Sequence, residues 1–541
     1  MISTINNTNE LLKAITPLLL DKNQHQECFN YLLQIRSVNP DLQGLNYFLG
    51  YYFNQYIHNY KSYSFLKREL ELYPNTGKTL KENIYYMLAW SSSCLGKAEE
   101  AVNYMTEALN LNPQLSQYYN DLIYMTNHSY NFNDSQITDI SKAFYQKCFE
   151  QQLQKEREII RTKLNTKTYF KKQKIRIGVL SSCLHSHSAE ILLIDIYKHL
   201  DKTKYDFYCY YINDVNDLED QCTEDYKNLS QSFTKIKNKT PLEIAELIID
   251  DEIDILIDTL GHVKNNLLDI FSLKPAPIQI SMVGYWGSTG LPQMDYLLVQ
   301  EGWTKPEETQ NYYEKIIEVA HFYYRAKHQD IDISQTPCLT NDFVTFGCFN
   351  RGQKINPKIL SIWSIILNYL PNSKLTLSYL ALNEPEYKED ILVFFESQGI
   401  SRTRIECYGY ISTEEYFHLH NEIDIALDPF PFSGGCTTID ALWMGVPVIT
   451  KKGDKTAGRF SESFLSLCKV PELISENEQD YIFKAIELGK DFHRIQSYKE
   501  TLRGKVIESK ISDPKAAAKH FEKALDTIIK QEKQQIHDDH N

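Results

Sequence analysis

The feature that most constrains this chain is an alternation of apolar runs and helical stretches that begins near residue 173. KIRIGVLSS (174–182) reads as a buried strand ending in small residues, HSAEILLIDIYKHL as a helix, and FYCYYI (207–212) as a strand. PLEIAELIIDD is again helical, IDILIDTLG (253–261) a strand, and PIQISMVGY and DYLLVQ (295–300) continue the set. A second set starts near 342 with VTFGCF, INPKILSIWSIILNYL, KLTLSY, EDILVFFESQG, RIECYGY, TEEYFHLHNE, IDIALD and finally PVIT. Strands this apolar, separated by helices, belong to a parallel sheet covered on both faces. Two such α/β domains in tandem leave a cleft at the carboxyl ends of their strands, where open sheets bind ligands.

The first 150 residues follow a different grammar. Leu, Tyr and Phe recur at spacings of three and four, which predicts helices. Pro40, Pro74 and Pro113 punctuate helix ends with gaps of 34 (74 − 40) and 39 (113 − 74) residues, near the 34-residue tetratricopeptide period. YYMLAWSSSCLGKAEEAVNYMTEALNLNP (85–113) fits one unit: Ala89 and Trp90 on the first helix, Gly96 in the turn, Ala101, Tyr104 and Ala108 on the second. A plain helical bundle is the other reading. About three units fit. The expected organisation is a helical region over 1–150, α/β domains over 151–340 and 341–515, and a charged C-terminal helix and tail over 516–541.

Charge and cysteine usage narrow the class. A net charge of −14 argues against general affinity for nucleic acid or anionic lipid, though not against a local basic pocket for phosphate. Eleven cysteines lie scattered with no CxxC pair, which suits a reducing compartment and disfavours a zinc site. MISTINNTNELLKAI has no basic-then-apolar leader, and no run approaches the ~18 apolar residues of a membrane span. A cytoplasmic protein is expected. The terminal HDDHN reads as a solvated tail rather than a metal site.

Four segments could carry chemistry. In DPFPFSGGCTTIDALWMGVPVIT (428–450), Gly434 and Gly435 allow close backbone approach, and Cys436, Thr437 and Thr438 open a helix. Unpaired N–H groups there suit a phosphate, and Asp440, one turn in, suits a ribose diol; a glycine turn with a threonine N-cap fits the same residues. Lys354 in FNRGQKINP lies between a strand and a helix, where it could reach a diphosphate or simply be a solvated loop lysine. In SSCLHSHSAE, His185 and His187 flank Ser186 after the first strand, placed for acid–base or donor roles, or as surface caps. GYWGSTG, within KPAPIQISMVGYWGSTGLPQMDY, could lay backbone amides against a sugar.

In this order these segments resemble the O-GlcNAc transferase / SPINDLY glycosyltransferase family, through KPAPIQ…GY.G..G…DY, FN…KI.P, the TT..DALWMGVPV region, IRIGVLSS….HS and NDLIYMTNHSYNFNDSQI, over residues 85 to 525. The resemblance implies a GT-B fold, two facing Rossmann-like domains preceded by an all-α tetratricopeptide-repeat domain, and an inverting transfer without metal or other cofactor. It implies that Lys354 contacts the diphosphate of a nucleotide sugar, that Thr437 and Thr438 bind phosphate with Gly435 and Cys436 beside them, that Asp440 binds ribose, that His187 is catalytic or positioning near the acceptor, and that Val283 and Gly284 lie near the sugar. Departures cluster at base and sugar recognition: Cys436 replaces threonine or histidine, Arg351 glutamine, Gln353 an aromatic residue, Thr413 a lysine that packs on uracil, and Leu267 an arginine. The chain also lacks the long insertion of animal members between the catalytic halves.

The expected activity is therefore transfer of GlcNAc from UDP-GlcNAc to Ser or Thr of a protein acceptor held partly by the repeats. GDP-fucose-dependent O-fucosylation and UDP-hexose-dependent asparagine glycosylation are alternatives. A repeat-containing binding protein without activity is a third class, disfavoured because Lys354, the threonines, Asp440 and His187 occur together. A homo-oligomer is compatible with the repeat surface.

Overall fold

The computed structural model describes residues 8–538 apart from 21–23, 166, 168, 171, 213–218, 323 and 325–330. Residues 539–541, the end of the HDDHN tail, lie outside the described residues.

The N-terminal region is a stack of antiparallel helix pairs: Thr8–Leu20 with His25–Val38, Leu45–Gln55 with Asn59–Leu72, Lys78–Cys94 with Ala98–Leu111, and Ser116–Thr126 with Asp134–Cys148. Four pairs stand where about three units were expected; the additional pair lacks the alanine and turn-glycine signals that mark residues 85–113. Pro40, Pro74 and Pro113 each stand two residues beyond a helix end, at Val38, Leu72 and Leu111, because proline cannot continue a helix. Ala89, Ala101 and Ala108 are fully buried where helices Lys78–Cys94 and Ala98–Leu111 close on each other. A further helix, Gln154–Leu164, packs Ile160 against Ala245, Ile249 and Leu273 of the first α/β domain.

That domain holds β1 (Ile175–Ser181), β2 (Tyr205–Ile212), β3 (Ser232–Ile236), β4 (Ile255–Asp258), β5 (Ile278–Met282), β6 (Tyr296–Gln300) and β7 (Lys315–Val319), in the order β3-β2-β1-β4-β5-β6-β7. The second holds β8 (Thr345–Cys348), β9 (Lys374–Ser378), β10 (Ile405–Tyr408), β11 (Ile425–Leu427), β12 (Val448–Lys451) and β13 (Ile474–Ser475), in the order β10-β9-β8-β11-β12-β13. All pairings are parallel. Both sheets thus have the doubly wound strand order in which the chain reverses beside the first strand. The sequence reading missed β3, β7 and β13, which are all sheet edges. β3 and β7 are half-exposed and carry no continuous apolar run, with only Ile236 buried in the one and Val319 in the other; β13 is buried but only two residues long, too short to leave a pattern.

The C-terminal helix, Pro514–Asp538, returns to the first α/β domain. Phe521 packs on Tyr197 at 5.9 Å between ring centroids, and the Tyr296 hydroxyl donates to Glu532 at 2.5 Å. Buried charges join the domains. Arg459 of the second, only 3% exposed, pairs with Glu308 of the first. Lys455 donates to the carbonyls of Thr126 and Ser129 at 2.9 and 2.7 Å, capping the C-terminal end of a repeat-region helix. Glu384 accepts from the Tyr60 and Lys61 amides at 2.8 and 3.1 Å, capping the N-terminal end of another. Each charge opposes the end of the helix dipole it meets.

Candidate active site

In each sheet the direction of winding reverses beside one strand, β1 in the first and β8 in the second. Loops leaving the carboxyl ends of strands there diverge and open a crevice. The loops after β1, β5, β8 and β11 carry the four segments singled out in the sequence.

The loop after β11 is built on Asp428, only 2% exposed. One carboxylate oxygen accepts from the Gly434 amide and the other from the Thr450 hydroxyl, both at 2.7 Å. This clamp folds the glycine turn back over the strand end. A methyl on Gly434 would stand 2.3 Å from Thr438 Oγ1 and 2.9 Å from Asp428 Oδ1, whereas Gly435 has nothing within 4 Å of that position. Gly434 is therefore needed for closeness within the protein, and Gly435 borders open space at the start of helix Cys436–Trp443. The two threonines diverge. Thr437 donates to Asn350 Oδ1 at 3.0 Å, while Thr438, 2% exposed, shares a 2.7 Å hydrogen bond with Ser461. Cys436 is exposed at the helix start.

Lys354 ends a 3₁₀ turn, Gly352–Lys354, after β8; Asn356 caps the next helix by accepting from the Ile359 amide at 3.0 Å. The ammonium donates to Ser433 O at 2.5 Å and to Asn350 Oδ1 at 3.4 Å, and stands 4.2 Å from the Phe432 ring centroid. Asn350 Oδ1 therefore joins Lys354 to Thr437. Burial lowers the Lys354 pKa to about 8 against the opposing pull of Asp428. A cation short of counter-charge, beside a helix N-terminus and a hydroxyl, forms a site for an anion.

Next to it lies a shallow recess lined by Phe349, Asn350, His420, Asp428, Thr437 and Thr438 among others. Phe349 and Tyr416 present ring contacts to His420, both at 4.8 Å, and burial holds His420 neutral, with its pKa down to about 4. The Tyr416 hydroxyl donates to Asp440 Oδ2 at 3.1 Å, orienting that carboxylate. Thr413 is exposed at the start of Tyr416's own helix, Thr413–Leu419. Leu267 immediately precedes the short helix Leu268–Phe271.

Across the cleft His187 caps helix Ser188–Tyr197, its Nδ1 accepting from the Ala189 amide at 3.4 Å. The Ser186 amide donates to Asp220 at 2.8 Å and the His185 ring meets the Tyr211 hydroxyl at 3.1 Å, which pin the turn. Burial, the charge of His185 and that of Arg351 all lower the His187 pKa. The exposed Arg351 acts on Lys354 in the same sense, which places it within electrostatic reach of both faces. After β5, Val283 adopts φ 64°, an uncommon conformation for a β-branched residue, and Gly284 approaches Thr259 O so closely that a methyl would stand 2.0 Å away. Trp286 continues this loop to the second domain, 4.9 Å from Phe432 between centroids.

Asn350, Asp428, Phe432 and Tyr416 escaped the sequence reading. Asn350 and Asp428 each stand just beyond a strand of the switch-point pair, and that position is the signal by which they could have been found. Among the described residues no group of three or more His, Cys, Asp or Glu side chains is arranged to hold a metal ion, and no helix is long and apolar enough to cross a membrane.

Among solved structures, a mutant of Thermobaculum terrenum O-GlcNAc transferase superposes with a TM-score of 0.78 at 25% identity, covering 95% of this chain and 96% of that one. SPINDLY of Eustoma exaltatum subsp. russellianum, named as a probable UDP-N-acetylglucosamine–peptide N-acetylglucosaminyltransferase, is 33% identical over 50% of this chain and 30% of its own. Arabidopsis thaliana SPINDLY is 29% identical over 66% of this chain and 39% of its own. The chain thus spans well under half the length of these relatives. Residues 123–336 and 330–524 match glycosyl transferase family 41, a span that takes in both sheets and every loop of the cleft, and the chain belongs to that family.

Proposed function

We propose that this glycosyltransferase moves GlcNAc from UDP-GlcNAc to Ser or Thr hydroxyls of a protein acceptor, with inversion and without a metal ion, in the cytoplasm. One observation carries the reading: the Lys354 ammonium and the Thr437 hydroxyl share Asn350 beside the opening turn of helix Cys436–Trp443. In the reaction the acceptor oxygen forms a bond to the anomeric carbon while the bond from that carbon to the β-phosphate oxygen breaks. The electron pair leaves on the diphosphate, and the acceptor proton passes to a base. Lys354, Thr437 and the helix amides meet the charge that develops on the diphosphate, the stage at which a preorganised donor contributes most. Asp440, oriented by Tyr416, suits the ribose diol.

His187 fits the acceptor side as a positioning donor. Its Nδ1 accepts an amide N–H, so the neutral ring carries its proton on Nε2 and offers a donor there. Resemblance to SPINDLY proteins named for peptide acceptors, together with the helical repeats, supports a protein acceptor.

The test is nucleotide release from UDP-GlcNAc, UDP-glucose and GDP-fucose in parallel, with a cell lysate as acceptor. UDP from UDP-GlcNAc, with mass added to Ser or Thr, is the expected result. Release only from GDP-fucose refutes the donor and favours fucosyl transfer.

A further inference from the structure

Lys354 is linked to the helical region at both ends, directly at its backbone turn and through Phe432 at its ammonium. At the backbone end, helix Lys78–Cys94 closes with Gly96 at φ +73°, the Gly96 amide bonding Ser93 O at 3.0 Å and the Lys97 amide bonding Ser92 O at 2.9 Å. This left-handed closure lies directly on the turn that carries Lys354. A methyl on Gly96 would stand 1.9 Å from Ile355 O, and one on Gly352 would stand 2.6 Å from Cys94 O. The two glycines meet backbone to backbone across domains. Gln353 Nε2 donates to Cys94 Sγ at 3.7 Å and the Tyr387 hydroxyl to Leu95 O at 3.2 Å, fastening both sides of the seam. At the ammonium end, the Phe432 ring under Lys354 packs on His128 at 4.7 Å between centroids. His128 is 3% exposed and is itself anchored, its Nδ1 donating to Tyr124 O at 3.1 Å.

We infer that Gly96 and His128 are positioning residues for Lys354, so that the helical region sets where the ammonium stands in the cleft. The inference rests on the reading of Lys354 as the cation of the diphosphate site. A backbone-on-backbone seam has no rotamer with which to absorb a displacement, so a shift of the helical region is passed to the lysine turn. The repeats would then act on donor chemistry as well as holding the acceptor.

The experiment compares Gly96→Ala, His128→Ala and His128→Phe with Gly77→Ala, whose added methyl meets nothing within 4 Å. Donor turnover is measured in the full chain. In parallel, competitive acetylation across pH, read lysine by lysine by mass spectrometry, reports the ionisation of Lys354 with no donor present. Around Lys354, burial lowers the midpoint to about 8, with Arg351 acting in the same sense and Asp428, Cys348 and Cys436 opposing it. In Gly96→Ala and His128→Ala that midpoint should move from about 8 towards the ordinary lysine value. Their kcat should fall on the order of 100-fold, with donor KM changed far less, because Thr437, Asp440 and the helix amides still bind the ground state. His128→Phe should restore both readouts, and Gly77→Ala should match the unaltered chain.

An unchanged Lys354 midpoint and kcat in folded Gly96→Ala and His128→Ala would overturn the inference, as would failure of His128→Phe to restore them. If Gly96→Ala does not fold, the His128 pair decides. If the unaltered chain turns over no donor, the reading of Lys354 falls instead, and the acetylation profile still tells whether the helical region places the ammonium.

Discussion

Replacing Lys354 with methionine separates a residue kept for chemistry from one kept for the fold. Methionine retains the unbranched stem over Phe432 and removes the charge. In the cleft the lysine pKa is lowered from 10.5 to about 8, chiefly by burial. At 1.36 kcal/mol per pKa unit, holding the ammonium there costs the folded protein ~3 kcal/mol. The sign follows from linkage: between pH 8 and 10.5 the unfolded chain binds more protons at this site than the folded one, so this residue's contribution to stability rises with pH across that window. Below pH 8 the full cost is present. Lost contacts to Ser433 O and the Phe432 ring offset ~1–3 kcal/mol of the gain. Lys354→Met should therefore unfold at the same denaturant concentration as the unaltered protein or a higher one at pH 7, while nucleotide release falls by at least ~100-fold. Activity of the unaltered enzyme should also decline as pH rises through about 8, as free Lys354 loses its proton, and Lys354→Met should lack that limb. Urea melts and pH–rate profiles for kcat/KM check both. Retained turnover in the variant, or loss of turnover accompanied by a large drop in stability, refutes the reasoning.

Gly435→Ala should leave the melting temperature unchanged and weaken UDP binding, because its methyl meets no protein atom within 4 Å and projects beside the proposed phosphate position; Gly434→Ala should lower the melting temperature itself, through contact with Thr438 and Asp428. Calorimetric titration with UDP alongside thermal melts distinguishes the two. Asp440→Ala should weaken nucleotide binding by ~1.5–3 kcal/mol, the range for a hydrogen bond to a charged group; equal affinity for UDP would remove Asp440 from the site. EDTA should leave the initial rate of nucleotide release unchanged, and a strong loss restored by a divalent cation would contradict metal-free transfer.

Much of this molecule was legible in the sequence because it depends on local rules. Strands buried on both faces are continuous apolar runs, so β1, β4, β5 and β11 could be read directly, and proline marks helix ends wherever it falls. The turn at Gly434 and Gly435 was legible for the same reason: glycine there reports backbone crowding or ligand approach. Edge strands β3 and β7 were not legible, because half-exposed segments carry no distinctive periodicity, and β13 was not, because two residues are too few to show one. Nor could the sequence tell that adjacent threonines part company, Thr437 towards Asn350 and Thr438 into the interior towards Ser461.

The tertiary structure alone decided what surrounds Lys354. Its hydrogen-bond partners stand 4 and 79 residues away in the chain, and Tyr416 reaches Asp440 across 24. His128 reaches Phe432, and Gly96 reaches Ile355, only once the helical stack has docked. The sequence by itself determined which segments could form strands, helices and glycine turns, since those follow from sterics within a few residues. Which side chains share a low-dielectric cleft, and hence how strongly the lysine seeks an anion, depends on distances that exist only after the three regions pack together.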